Sequence, residues 1–152
     1  MIALQPIGVV RGGRAEARDD RWGDIEAEIV LDPARLSTES TKGLADFSHV
    51  MVVFHMHKVP EAKIETGARH PRERADWPTV GIFAQPARAR PNRLGVTICQ
   101  LLAVNGLILR VRGLDAIDGT PVLDIKPHIS GFAARGAVRE PDWVKDLMLT
   151  YW

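Results

Sequence analysis

Two stretches of this chain gather residue types suited to holding a charged ligand. The first, GIFAQPARARPNRLG from Gly81 to Gly95, opens on apolar, β-favouring residues. It then concentrates Pro86, Pro91, Arg88, Arg90 and Arg93 before a second apolar run. A stiff basic loop between two strand-like segments is an unusual use of sequence. Six arginines (69, 72, 74, 88, 90 and 93) face only Glu73 and Asp76 between positions 69 and 93, a local balance of +4. Such a run is either a solvated loop or an anion or RNA surface, because planar guanidinium groups suit phosphates. The second stretch, GLDAIDGTPVLDIKPHI from Gly113 to Ile129, crowds Asp115, Asp118, Asp124 and Lys126 around an Asp118-Gly119 turn. It reads as a turn with one ion pair, or as a polar rim where carboxylates and carbonyls meet a cationic ligand.

Other chemistries find little support. In SHVMVVFHMHK, strand alternation puts His49, Met51, Val53, His55 and His57 on one face. His55 and His57 have the H-x-H spacing of some metal sites, but no third ligand accompanies them and no metal is expected. No Gly-rich phosphate loop of either common kind is present. Nor is there a G-x-S-x-G elbow, and the only cysteine, Cys99, lies in an apolar run without an activating neighbour. A lone cysteine also rules out a disulfide within the chain and a cysteine-based zinc site.

The elements that must position these residues are mostly short strands. β-type runs occur in IALQPIGVV, around Ile25 to Leu31, in FSHVMVVFHMHKV, in TVGIFA, in LGVTICQLLAV and LILRVRGL, and in PVLDIKP. The LGVTICQLLAV and LILRVRGL runs flank Asn105-Gly106, which suits a type I′ hairpin turn. STESTKGLADF has the composition of a short helix capped by Ser37 or Thr38, and EPDWVKDLMLTYW that of a C-terminal helix starting near Pro141. Strands do not alternate with long helices, so the expected fold is mainly β, a small antiparallel barrel or sandwich. Two long loops, RGGRAEARDDRWGD and PEAKIETGARHPRERADWP, interrupt it, and long loops in small domains are often functional.

At 152 residues the chain fits one domain, taken as 1–152. Its 45% hydrophobic and 26% charged content is that of a globular protein and argues against global disorder. A net charge of +1 points to no strong general field for DNA or membrane. No apolar run is long enough to span a bilayer and the N-terminus lacks a signal-peptide pattern, so a soluble, cytoplasmic protein is expected.

With these residues in view, the chain resembles the TsaA/TrmO (YaeB-like) family. PIGVVRG is similar to the family's opening strand, and GLADFSHVMVVFHMH to its G-L-x-x-F-S-H run and following strand. RHPR resembles R-P-P-R, and VGIFAQPARARPNRLGVT resembles V-G-V-F-A-T-R-S-x-x-R-P-N-x-x-G. LDAIDGTPVLDIKPHI is similar to L-D-x-x-D-G-T-P-V-x-D-I-K-P-Y. The resemblance covers roughly residues 5 to 132. It implies a small β-barrel methyltransferase that takes S-adenosylmethionine, works as a homodimer and N6-methylates threonylcarbamoyl-adenosine in tRNA.

The resemblance further implies a donor site made of Phe83, Ala84, Arg90, Pro91, Asn92, Leu94 and Gly95 with Leu114, Asp115, Asp118, Gly119, Thr120, Val122 and Asp124. Within that site, Pro91 limits the backbone around Arg90 and Asn92. Asn92 suits an adenine or an amino-acid head group, and Arg90 suits the methionine carboxylate. Gly95 allows close backbone approach. The RNA-contacting set is Arg69, Arg72, Arg74, Arg88 and Lys126. No general base stands out; Asp115, Asp118 and His55 are the weak candidates. The family's T-R-S is Gln85-Pro86-Ala87 here, which removes an arginine and two hydroxyls, and the glycines after R-P-P-R are Glu73-Arg74-Ala75. A different RNA base, a small-molecule acceptor, or a donor sensor without turnover are the rival readings.

Overall fold

Alternation of apolar and polar residues builds the barrel. In the strand His49–His55, Val50, Val52 and Phe54 point inward and are buried, while His49, Met51, Val53 and His55 sit half-buried on the outer face. The same rule turns Ala27, Ile29 and Leu31 of Glu26–Leu31, and Leu109 and Val111 of Ile108–Arg112, to the interior. The computed structural model, which describes all residues Met1–Trp152, closes these strands into a cylinder.

In chain order the strands are β1 (Gly8–Arg11), β2 (Glu26–Leu31), β3 (His49–His55), β4 (Ala68–Arg69), β5 (Val80–Gly81), β6 (Leu94–Asn105), β7 (Ile108–Arg112) and β8 (Pro121–Pro127). The barrel runs β1-β2-β7-β6-β3-β8 and returns to β1, every pair antiparallel, so it has no free edge. Strands β4 and β5 form a separate two-stranded sheet inside the long segment between β3 and β6. The interior is filled by a continuous apolar cluster that includes Val10, Ile29, Val50, Val52, Phe54, Leu109, Val111, Leu114 and Val122. Burial and the neighbouring Asp115 charge push the Cys99 thiol up to about 12, which makes it a core-filling group and not a nucleophile.

A second, smaller core lies outside the barrel. Helix α1 (Asp142–Met148) begins directly after Pro141 and buries Trp143 and Leu147 against Trp77 of the long loop. The two indole rings are 5.9 Å apart.

Three expected elements take other forms. TVGIFA is a strand only at Val80–Gly81 and then tightens into a 3₁₀ turn at Ile82–Ala84, burying Ile82 and leaving Phe83 outside. STESTKGLADF forms two single 3₁₀ turns, because Gly43 between them adopts φ 83° and Ser37 makes no side-chain cap. At the hairpin, Val104 pairs with Leu109 and Asn105 with Ile108, so the two loop residues are Gly106 and Leu107. Only Gly106 has positive φ (59°), the requirement of a II′ turn and not of I′. The barrel, the C-terminal helix and the remaining strands follow the expectation, except that the opening run IALQPIGVV is strand only from Gly8 onward.

Candidate functional site

At one end of the barrel β3 finishes, β6 starts and the 113–120 segment leads into β8. Loops rising from that end enclose a cavity of about 850 Å³. Its floor is Phe54, Gly95, Thr97, Ala116 and Thr120, the loops add Trp22, the 85–90 segment and Tyr151, and α1 adds Leu147.

The basic loop is held by its own residues. Arg90 donates from Nη1 to the carbonyls of Gln85 (3.0 Å) and Ala87 (3.2 Å), bracing the turn that carries it. Arg93 sits at φ 51°, in the left-handed region that disfavours side chains, and donates to the Val59 carbonyl (2.9 Å) while its own carbonyl accepts from Met56 N–H (2.8 Å). Gly95 follows. A Cβ there would fall inside the van der Waals distance of three carbons of the Phe54 ring, so the bare backbone is what lets that ring lie flush in the floor. Gln85, buried where the family pattern has Thr, donates from Nε2 to the carbonyls of Arg69 (3.2 Å) and Val80 (3.0 Å).

Ion pairs join the loops across the cavity. Arg72 pairs with Asp20 (3.0 Å) and donates to the Asp19 carbonyl (3.1 Å), and Arg88 pairs with Asp19 (3.3 Å). Five lining cations have no acidic partner: Arg18, Lys58, Lys63 and Arg69, and Arg90, which donates to carbonyls only. Arg69 also leaves its buried Nε without an acceptor. One half-buried lining carboxylate, Asp115, has no cationic partner. Its two oxygens accept from the hydroxyls of Thr97 and Tyr151. Burial, and then the Asp115 charge, hold the Tyr151 phenol above its ordinary range, so it is a neutral donor. The cavity therefore has an anionic point in a largely apolar floor and cations towards its loops.

The expected site residues divide. Arg90, Leu94, Gly95, Asp115, Thr120, Arg69, Arg72 and Arg88 line the cavity. Leu114 and Val122 instead fill the barrel core, at 1% and 0% exposure. Asp118 accepts from Gly12 N–H (2.8 Å), and Gly119 makes the adjoining turn at φ 81°. Asp124 and Lys126 are exposed on β8, opposite Val53 and Met51 of β3. Pro91 and Asn92 stand exposed at the loop tip, and Phe83 and Ala84 point outward. Arg74 stacks on Trp77, 4.0 Å from the ring centroid, and is paired with Asp76. Of the three base candidates only Asp115 reaches the cavity. His55 is on the outer face of β3, where desolvation, then Arg93 and His57, lower its pKa.

Residues 18–134 match the family described as tRNA-methyltransferase O N-terminal domain. The chain belongs to the TrmO family. It is 37% identical over 139 residues to a protein of Methanothermobacter thermautotrophicus described as a probable S-adenosyl-L-methionine-binding protein, covering 89% of this chain and 96% of that one. The human tRNA (adenine(37)-N6)-methyltransferase is 37% identical over 102 residues, 67% of this chain and 23% of its own. A crystal structure of TrmO from Pseudomonas aeruginosa superposes with TM-score 0.73 at 28% identity, over 91% of this chain and 61% of that one. This chain thus spans about three-fifths of the TrmO chain and under a quarter of the human enzyme.

Within this TrmO-family chain, several cavity residues escape the sequence reading. Trp22, Thr97, Lys58, Lys63 and Tyr151 all line the cavity. His57 lines it too, beyond the end of β3, with a buried Nδ1 that has no partner. Tyr151 meets Asp115 across 36 positions of sequence, and nothing local marks it.

Proposed function

We propose that this chain is an S-adenosylmethionine-dependent tRNA methyltransferase whose acceptor is the N6 nitrogen of threonylcarbamoyl-adenosine. The observation that carries the reading is the bipolar cavity. An unpaired carboxylate in an apolar floor suits a cationic sulfonium amino acid, and unpaired cations on the loop side suit carboxylate and phosphate. The names of the archaeal, human and Pseudomonas relatives support the donor and the tRNA acceptor.

When bound, S-adenosylmethionine supplies an electrophilic methyl group. A nitrogen lone pair of the acceptor forms the new C–N bond as the C–S bond breaks and its electrons return to sulfur. The methylated nitrogen then sheds its proton to solvent. The chain's part in this reading is to hold the two reactants in line and to exclude water from the apolar floor around Phe54, a task of positioning more than of acid–base chemistry. Arg90 contributes by bracing the loop, and Gly95 by seating the Phe54 ring. Residues 1–152 act as one unit, since the C-terminal segment walls the cavity that the barrel opens. Two copies pair through the outer face of β3 and β6, where Val96 and Ile98 are 58% and 43% exposed, in a closed two-fold dimer of the cytoplasm. No helix is long and apolar enough to cross a membrane.

Calorimetry should show one S-adenosylmethionine per chain. Labelled methyl should pass to threonylcarbamoylated tRNA and not to unmodified tRNA. Donor binding without transfer to either RNA would remove the tRNA reading and leave a sensor or a small-molecule methyltransferase.

RNA affinity should fall steeply with salt, in proportion to the phosphates neutralised. The unpaired cations should carry that slope, because Arg72 and Arg74 are already matched by Asp20 and Asp76. Replacing Lys58 and Lys63 together by Glu should flatten the slope by roughly two. An unchanged slope would move the RNA surface elsewhere.

A further inference from the structure

Residues 135–152 lie beyond the 18–134 stretch matched as the family's N-terminal domain, yet Leu147 and Tyr151 complete the cavity wall. Two backbone bonds tie them to the first long loop: Arg21 N–H donates to the Thr150 carbonyl and Trp22 N–H to the Tyr151 carbonyl, each 2.8 Å. Helix α1 anchors the other side through Trp143 and Leu147 on Trp77. Between these supports Tyr151, the chain's only tyrosine, delivers its hydroxyl to Oδ2 of Asp115. Thr97 of β6 donates to Oδ1.

Both donors are neutral. A lysine or arginine in either place would orient the carboxylate and also cancel its charge. Two hydroxyls orient it and leave the charge on it, available to a ligand. The other charged and titratable groups around the pair are Arg72 and Asp19, which act on the phenol, and Cys99, whose buried thiol lies beside Asp115 on the core side. Arg72 is occupied by Asp20 and the Asp19 carbonyl, so it does not answer Asp115.

We propose that Tyr151 is a positioning residue: with Thr97 it holds the Asp115 carboxylate in one orientation, uncancelled and facing the cavity, to receive the cationic end of the methyl donor. This rests on the donor-cavity reading above. The cationic end has two sources, the sulfonium and the amino group, and three ligands separate them. S-adenosylmethionine carries both charges, S-adenosylhomocysteine only the ammonium, and 5′-methylthioadenosine neither.

The test uses the full chain with Tyr151→Phe, Thr97→Val and Asp115→Asn, each titrated calorimetrically with the three ligands. Tyr151→Phe should weaken S-adenosylmethionine about tenfold, the loss of one hydrogen bond to a charged group. It should leave 5′-methylthioadenosine unchanged. An equal loss for S-adenosylhomocysteine assigns the ammonium to Asp115, and a smaller loss assigns the sulfonium. Thr97→Val should repeat the pattern from the other oxygen, and it decides the matter if Tyr151→Phe does not fold. Equal weakening of all three ligands would mean a merely structural role and overturn the proposal, as would unchanged S-adenosylmethionine affinity.

A single tyrosine also gives an unambiguous phenolate absorbance. Burial and the Asp115 charge delay its ionisation above the ordinary range, so saturating S-adenosylmethionine, by answering that charge, should bring ionisation to lower pH, and Asp115→Asn should do so without ligand. If the wild-type chain bound no S-adenosylmethionine, the donor reading would fall. The Asp115→Asn titration would still judge whether Tyr151 and Asp115 are coupled, and no shift there would remove the positioning role by itself.

Discussion

Replacing Gly95 by Ala is expected to cost about 3 kcal/mol of stability, the upper end for forcing one extra carbon into a packed site. That corresponds to a fall in Tm of roughly 10 °C for a domain of this size. The added methyl meets Cζ, Cε2 and Cε1 of Phe54, and the ring has little room to retreat because Phe54 belongs to the barrel's apolar cluster. Gly95 is paired with Phe54 across β6 and β3, so the strand cannot slide away without breaking the ladder. The same displacement disturbs the cavity floor, and donor affinity should fall with stability. Shortening the ring, as in Gly95→Ala with Phe54→Leu, should recover part of the loss. Gly81→Ala is the control, since nothing lies within 4 Å of a Cβ there and its φ of −60° suits any residue. A Gly95→Ala protein that melts with the Gly81→Ala control would refute this account of the floor.

Trp22→Ala should cost about 3–5 kcal/mol, the range for emptying a buried indole site. Trp22 is 2% exposed although it lies in an irregular loop. Its Nε1 donates to the Arg18 carbonyl (3.0 Å), the Arg14 guanidinium stacks 4.6 Å from its ring centroid, and its backbone N–H holds Tyr151. One side chain thus folds the loop, walls the cavity and fixes the C-terminal segment. Its removal should release the loop and that segment before the barrel opens, because the barrel core does not include Trp22. Hydrogen exchange should show faster exchange of the Arg21 and Trp22 amides while β3 and β6 stay protected. A loss under about 1 kcal/mol with those amides still protected would show that the ion pairs of Asp19 and Asp20 hold the loop unaided.

Local pattern determined most of the scaffold. Strand alternation in HVMVVFH and EAEIVL needs only the two-residue period and one buried face, so the inward set was legible residue by residue. Gly106 announced the hairpin, and the family motifs announced the loop that bears Arg90 and the segment that bears Asp115. Short-range geometry was less legible where a neighbour outweighed propensity: Ile82 turns out of its strand to be buried, and Gly43 splits a would-be helix into two turns.

Charge was decided only by the tertiary structure. Sequence shows six arginines between positions 69 and 93, but not that Arg72, Arg74, Arg88 and Arg93 meet acids, that Arg90 and Arg93 brace carbonyls, or that Arg69 has no acid beside it. A guanidinium reaches whatever acceptor the fold brings within a few ångströms, and Asp20 lies 52 positions from Arg72. The Asp115 site is the same case. Its aspartate stands in a legible motif, whereas its two hydroxyl donors come from the start of β6 and from the chain's last turn, brought together by closure of the barrel and by the Trp77–Trp143 core. Periodicity records which face a residue shows; only packing of distant segments settles which charges are left for a ligand.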